Sequence, residues 1–166
     1  NTNLIDELTL LTEQIGRDLS LTIHAGILDQ KSIMYLAKYS NNSNLSIMTN
    51  VGVKIPAHCT ALGKVLLSQF SDDVLTGMYE NYAFERLTSH TIGSIDELLK
   101  CINLVRKNGY ATEFCEVTDY TACIALPLHQ ADKIVAALSA TIPCQMFTPE
   151  EIKDLVEKMK IYQKQG

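Results

Sequence analysis

The chain has no tryptophan, four prolines and no surplus of basic residues. Lysine and arginine total 14 against 19 aspartates and glutamates, a formal net charge of -5. That balance excludes a basic face able to grip a nucleic-acid backbone unaided. It also excludes the basic stripe of a membrane-surface helix. No apolar run approaches the ~18 residues of a membrane span, so no membrane partner is expected. The five cysteines are odd in number and lack CxxC spacing, which argues against a zinc ligand set or a disulfide framework. Reduced thiols in a cytoplasmic protein fit best. No internal repeat or low-complexity segment occurs. The opening Asn1-Thr-Asn-Leu-Ile-Asp is neither a signal peptide nor a methionine start, and reads as a cut inside a longer protein.

Several catalytic signatures are missing too. No G-x-S-x-G surrounds Ser139. Lys64 follows Gly63, but a phosphate-cradling loop needs glycine where His58 stands and Ser or Thr where Val65 stands. A Cys123 nucleophile needs a positioned base, and no histidine is near it in sequence.

What is present begins with Ile55 to Phe70. An apolar run ends at Pro56, a short polar loop follows, and a helix opens at Thr60. Leu62, Val65, Leu66 and Phe70 lie on one face of a 3.6-residue period. Thr60 is an N-cap residue whose hydroxyl can accept from first-turn amides. The positive end of this helix is therefore expected beside Ala57, His58 and Cys59, as a small site for an anion.

The remaining pattern is that of an α+β domain spanning residues 1–166. Leu4, Ile5, Leu8, Leu11 and Ile15 mark a first helix. Leu21, Ile23, Ala25 and Ile27 alternate, as do Ile33, Tyr35, Ala37 and Tyr39, joined by Asp29-Gln30-Lys31 as a β-hairpin. Leu45 to Ile55 is a weaker extended segment, and Ser71 to Tyr82 holds a short helix. Ser94-Ile-Asp-Glu97 and Thr148-Pro-Glu-Glu151 are capping boxes that open two further helices, the first stopped by Gly109. Strands are predicted over Tyr110–Glu116, Thr121–His129 and Lys133–Ile142. The last two are apolar on both faces, so helices should cover both sides of the sheet. Short links favour antiparallel pairing.

Strand alternation groups the candidate site residues. Ala111, Glu113 and Cys115 share a face, as do Thr121, Cys123 and Ala125, and Val135, Ala137, Ser139 and Thr141. Neighbouring strands can thus bring Glu113, Cys123, Ser139 and Thr141 to one surface among small residues. A cavity with few polar groups and apolar walls suits a small molecule. With the Thr60 helix above it, amides stand ready for a carboxylate and Glu113 for hydroxyls. A hydroxy or keto acid matches both. The plainer alternatives stay open: Cys123 and Ser139 as ordinary core residues, and Glu113 facing solvent rather than buried with a task. His58-Cys59 reads as a loop pair rather than a metal site. His24, His90 and His129 read as surface residues, and Arg106-Lys107 as a solvated helix end.

Taken in order, four pieces resemble the effector-binding domain of IclR-family bacterial transcriptional regulators. They are Pro56 through Lys64 leading into Val-Leu-Leu; Arg106-Lys-Asn-Gly-Tyr-Ala-Thr-Glu113 with Glu116 after it; Cys123-Ile-Ala-Leu-Pro-Leu; and Ile134-Val-Ala-Ala-Leu-Ser-Ala-Thr-Ile-Pro143. They cover nearly the whole chain. The resemblance implies a GAF/PAS-like antiparallel sheet of about six strands with helices on both faces. It implies a full protein whose N-terminal winged helix-turn-helix, absent here, holds operator DNA. It implies a homodimer or homotetramer that senses a small organic acid such as a sugar acid or keto acid. Contacts to that effector are implied for Ala61, Leu62, Glu113, Cys123, Ser139 and Thr141. Leu62 departs from many relatives, which carry glycine or alanine there; its side chain bears on ligand size. Zinc accompanies some relatives, but this chain has no matching ligand set. No cofactor, metal or catalytic residue is expected, and a repressor of carbon-source catabolism is the reading. A small enzyme using Cys123 or Ser139, or a pure oligomerisation module, is the alternative.

Overall fold

The computed structural model describes residues 2–40 and 51–163. Helix α1 (Thr2–Leu19) leads into the hairpin β1 (Thr22–Asp29) and β2 (Ser32–Tyr39). The short strand β3 (Lys54–Pro56) runs into a single 3-10 turn at Ala57–Cys59 and then α2 (Ala61–Leu67). After α3 (Asp72–Met78) and a long loop comes α4 (Ile95–Asn108). Strands β4 (Ala111–Phe114), β5 (Thr121–Gln130) and β6 (Lys133–Pro143) precede α5 (Pro149–Gln163). Of the weak extended segment expected over Leu45–Ile55, residues 45–50 lie outside the described residues, and β3 covers its end.

The six strands form one antiparallel sheet in the order β3-β2-β1-β6-β5-β4. Each face is covered by a separate core, as the two-sided apolarity of β5 and β6 requires. Ile23, Ala25, Ile124, Leu126, Leu138 and Ala140 pack under α1 and α5. Ile33, Tyr35, Ala111, Ala125 and Ala137 pack under α2, α3 and α4. This second face carries the candidate site.

The helix ends follow their sequence signals. The Thr60 hydroxyl accepts the Gly63 N–H at 2.8 Å. Ser94 accepts the Glu97 N–H at 3.2 Å, while the Glu97 carboxylate reaches back to Gly93 at 3.3 Å. Gly109 closes α4 at φ 83, the left-handed region open to glycine, and donates to the Val105 carbonyl at 2.7 Å.

Two bulges break the simple alternation. On β2 the partner of Ala25 is Ala37 but the partner of Gly26 is Tyr35, so Leu36 is an extra residue. Ile33 and Tyr35 therefore belong to the α2 side, and Ala37 to the α1 side, correcting the single face expected for all four alternating residues. On β6 the partner changes from Ala136 to Ile134, which makes Val135 the extra residue and removes it from the face of Ala137 and Ser139. Cys115 also leaves its expected face. The strand ends at Phe114, and Cys115 takes a positive φ of 54.

Candidate functional site

Register places the candidate residues in two adjacent rungs on the α2 side of the sheet. Glu113 on β4 is opposite Cys123 on β5, which is opposite Thr141 on β6. One rung over, Ala111, Ala125, Ser139 and His24 stand in line. Directly opposed residues of antiparallel strands share a face with Cβ atoms ~5 Å apart. Alternation thus brings Glu113, Cys123, Ser139 and Thr141 together, with a floor of Ala111, Ala125 and Ala137 around them.

The polar groups are linked. Cys123 and Glu113 are direct cross-strand neighbours, and the Cys123 sulfur lies 3.4 Å from the Thr141 hydroxyl. Glu113 is 2% exposed. Burial raises its pKa to about 7, against the opposing pull of the Glu116 amide and of Lys64. Burial also pushes the Cys123 thiol far above its ordinary value, with the Glu113 charge adding to it, so the sulfur is held as a neutral thiol. Within β5, Cys123 keeps accessible surface while Ala122, Ile124 and Ala125 beside it are buried.

The roof is α2. Its Gly63 and Lys64 N–H groups are taken by the Thr60 hydroxyl and carbonyl. The amides of Ala61 and Leu62 have no acceptor among the described residues. Gly63 is forced by close approach, since a Cβ there would lie 2.0 Å from the Ala57 carbonyl oxygen. Leu62 is buried and stands over β1, its Cδ1 3.6 Å from where a Gly26 side chain would begin.

Sequence pattern raises Lys64 only within a phosphate-cradling loop that its neighbours exclude, and not as an ion-pair partner. Lys64 is 1% exposed and ion-paired with Glu116. The second Glu116 oxygen accepts the Ile92 N–H at 3.2 Å. No local motif links positions 64 and 116, and only the fold reveals the pair.

Two histidine expectations change. His24 is buried on the site face with its ring 5.0 Å from that of Tyr35, not on the surface. His58 is fully buried in the 3-10 turn rather than in a loop. Its Nε2 donates to the Glu85 carbonyl at 2.9 Å, which leaves Nδ1 to accept from the Tyr82 hydroxyl at 3.2 Å. Burial lowers its pKa, in keeping with this neutral form. Arg106 and Lys107 are exposed in the last turn of α4, as expected, and Arg106 also bonds Asp72 at 2.6 Å and the Ser68 and Phe70 carbonyls, tying the end of α4 to the α2–α3 link. His90 and His129 are exposed, as expected.

A separate cavity of about 570 Å³ runs along the open edge of β4 between α4 and α5. Leu104, Tyr110, Thr112, Phe147 and Ile152 line it, and it shares Lys64 and Ala111 with the candidate site. Among the described residues no group of three His, Cys, Asp or Glu side chains is placed to hold a metal. No helix among them is long and apolar enough to cross a membrane.

An antiparallel sheet with a polar patch beneath a helix N-terminus is the architecture of a ligand-sensing domain. Residues 1–165 match the family described as Bacterial transcriptional regulator IclR C-terminal, and the chain belongs to that family. The HTH-type transcriptional regulator KdgR of Dickeya chrysanthemi is 33% identical over 157 residues, 94% of this chain and 52% of the relative. KdgR of Escherichia coli K12 is 32% identical over 157 residues, 94% of this chain and 60% of the relative. The chain thus spans little more than half the length of these relatives. The crystal structure of the E. coli KdgR C-terminal domain superposes with a TM-score of 0.85 at 30% identity, covering 97% of this chain and 94% of that one. A double-mutant PobR inducer-binding domain from Acinetobacter, in complex with 3-hydroxybenzoic acid, shares the fold. Its TM-score is 0.84 at 24% identity over 96% of this chain and 95% of that one.

Proposed function

We propose that residues 1–166 form the effector-sensing and oligomerising domain of a cytoplasmic bacterial transcriptional regulator, a repressor of carbon-source catabolism. The effector is a small hydroxy or keto acid, such as a sugar acid or keto acid. It lies between α2 and the sheet, with its carboxylate on the Ala61 and Leu62 amides and its oxygens on Glu113, Cys123, Ser139 and Thr141. Operator DNA is held by a winged helix-turn-helix in the full protein, which works as a homodimer or homotetramer. The relatives' names support the regulator reading. The observation that carries the site is the Glu113–Cys123–Thr141 rung on the α2 side of the sheet.

Binding moves a two-state equilibrium only through unequal affinity for the two states. A coupling of ~1–3 kcal/mol changes operator affinity about 5- to 150-fold. Catalysis by Cys123 is disfavoured by its raised pKa, since the nucleophile is the thiolate. A thermal-shift screen against sugar acids, keto acids and aromatic acids tests the proposal. A true effector at 100 times its Kd adds ~2.7 kcal/mol. An unmoved melting point across all three classes favours the oligomerisation module instead.

A further inference from the structure

We propose that Cys115 and Cys144 form a modification site, a thiol pair that closes to an intramolecular disulfide when the protein meets a peroxide or a small-molecule disulfide. The pair stands whether or not an acid binds over Glu113.

Two strand ends bring the thiols together. Strand β4 stops at Phe114, and Cys115 turns out of it at φ 54, a left-handed backbone that few residues with a side chain adopt. Cys115 still donates its N–H to the Thr121 carbonyl at 3.1 Å. Strand β6 stops at Pro143, and Cys144 opens a 3-10 turn over Cys144–Met146. The Cys144 N–H goes to the Tyr120 carbonyl at 3.0 Å. The two cysteines therefore flank the point where β5 starts, each held by one of two adjacent residues. Both thiols turn to the same atom: each sulfur lies 3.7 Å from the Asp119 carbonyl oxygen. The sulfurs are thus separated by no more than twice that distance, ahead of the first residue of β5. Rotation of each side chain between staggered positions moves them toward the ~2 Å of a disulfide bond. The Cys59 thiol donates to the Pro56 carbonyl and Cys123 lies against Thr141, so neither competes for the pair.

The two thiols divide the chemistry. Cys115 is 3% exposed, whereas Cys144 is partly exposed. Burial, and then the Cys144 thiol, raise the Cys115 pKa to about 11, so Cys115 keeps its proton until its partner has reacted. Cys144 is where the oxidant enters. Its sulfur attacks one peroxide oxygen and becomes a sulfenic acid, while the other oxygen leaves as water. The Cys115 sulfur then attacks the sulfenic sulfur. The S–S bond forms, the S–O bond breaks, and the hydroxyl departs as water with the Cys115 proton. The thiols lose two electrons and the peroxide gains them. With a disulfide as oxidant, exchange forms the same bond and releases two small thiols. In the cytoplasm proposed above, such a bond is transient and follows the oxidant. Closure ties the segment that carries Glu116, the partner of Lys64, to the turn before α5.

Hydrogen peroxide and oxidised glutathione, applied separately to the purified chain, test this. Free thiols are then capped with iodoacetamide and the peptides mapped by mass spectrometry. The native wild type should yield one disulfide, Cys115–Cys144, which dithiothreitol removes. The same treatment in urea should scatter bonds among the five cysteines. Cys101→Ser should behave as the wild type. Cys144→Ser, at the more exposed position, should give no disulfide. Cys115→Ser should leave Cys144 as a sulfenic acid that dimedone traps, or as a glutathione adduct. Five free thiols after treatment overturn the proposal. So do cross-linking of two chains, a bond to Cys59, Cys101 or Cys123, or a Cys144 adduct beside a free Cys115 in the wild type. A native bond pattern as scattered as that in urea overturns it as well.

Discussion

The Glu113 carboxylate accepts the Glu116 backbone N–H at 2.7 Å. Three residues of chain thus join the candidate site to the buried Lys64–Glu116 ion pair, and through Lys64 to α2. A change in charge or position at Glu113 is felt at the turn that anchors the helix above it.

Glu113 should make stability fall as pH rises. Its folded pKa of about 7 stands above the ordinary 4.5, so between those values the unfolded chain has released a proton that the folded one retains. The contribution is fully present below about pH 4.5 and is lost by about pH 7, a span of about 3 kcal/mol. Glu113→Gln should flatten that slope in urea unfolding followed from pH 5 to pH 8. An identical slope in the variant would remove Glu113 as its source.

Breaking the buried ion pair should cost far more than losing a surface one. Lys64→Met leaves Glu116 buried without its cation and should lower stability by about 3–5 kcal/mol. Lys64→Met combined with Glu116→Gln should recover part of the loss, because no uncompensated charge remains. Chemical denaturation of both variants reads the difference. A double variant as unstable as the single one contradicts it.

Gly63→Ala should displace the first turn of α2. Its new Cβ would meet the Ala57 carbonyl at 2.0 Å, an overlap that only backbone movement relieves. A loss of about 1–3 kcal/mol is expected in thermal unfolding, together with weakened acid binding, since the Ala61 and Leu62 amides move with the turn. Wild-type stability would mean that the turn yields freely.

Local signals were the legible ones. Thr60, Ser94 and Thr148 announce their helices within four residues, and Gly109 its stop, because capping is a matter of adjacent amides and hydroxyls. Strand alternation grouped Glu113, Cys123, Ser139 and Thr141 because β4, β5 and the relevant part of β6 pair without interruption. Alternation failed at Leu36 and Val135, where a bulge adds one residue without any sequence mark. That is why Tyr35 was not expected on the site face. His24 was misplaced because a polar residue between apolar ones reads as outward-facing, whereas a sheet covered on both sides has no outward face. Lys64 and Glu116 are 52 positions apart, and nothing short of tertiary structure joins them.

The central claim is that a small acid binds over the Glu113–Cys123–Thr141 rung. Titration calorimetry of the best acid from the screen, run on the wild type and on Glu113→Ala, Ser139→Ala and Thr141→Val, tests it most directly. Each substitution should weaken binding about tenfold or more while circular dichroism remains native. Unchanged affinity in all three folded variants would contradict it.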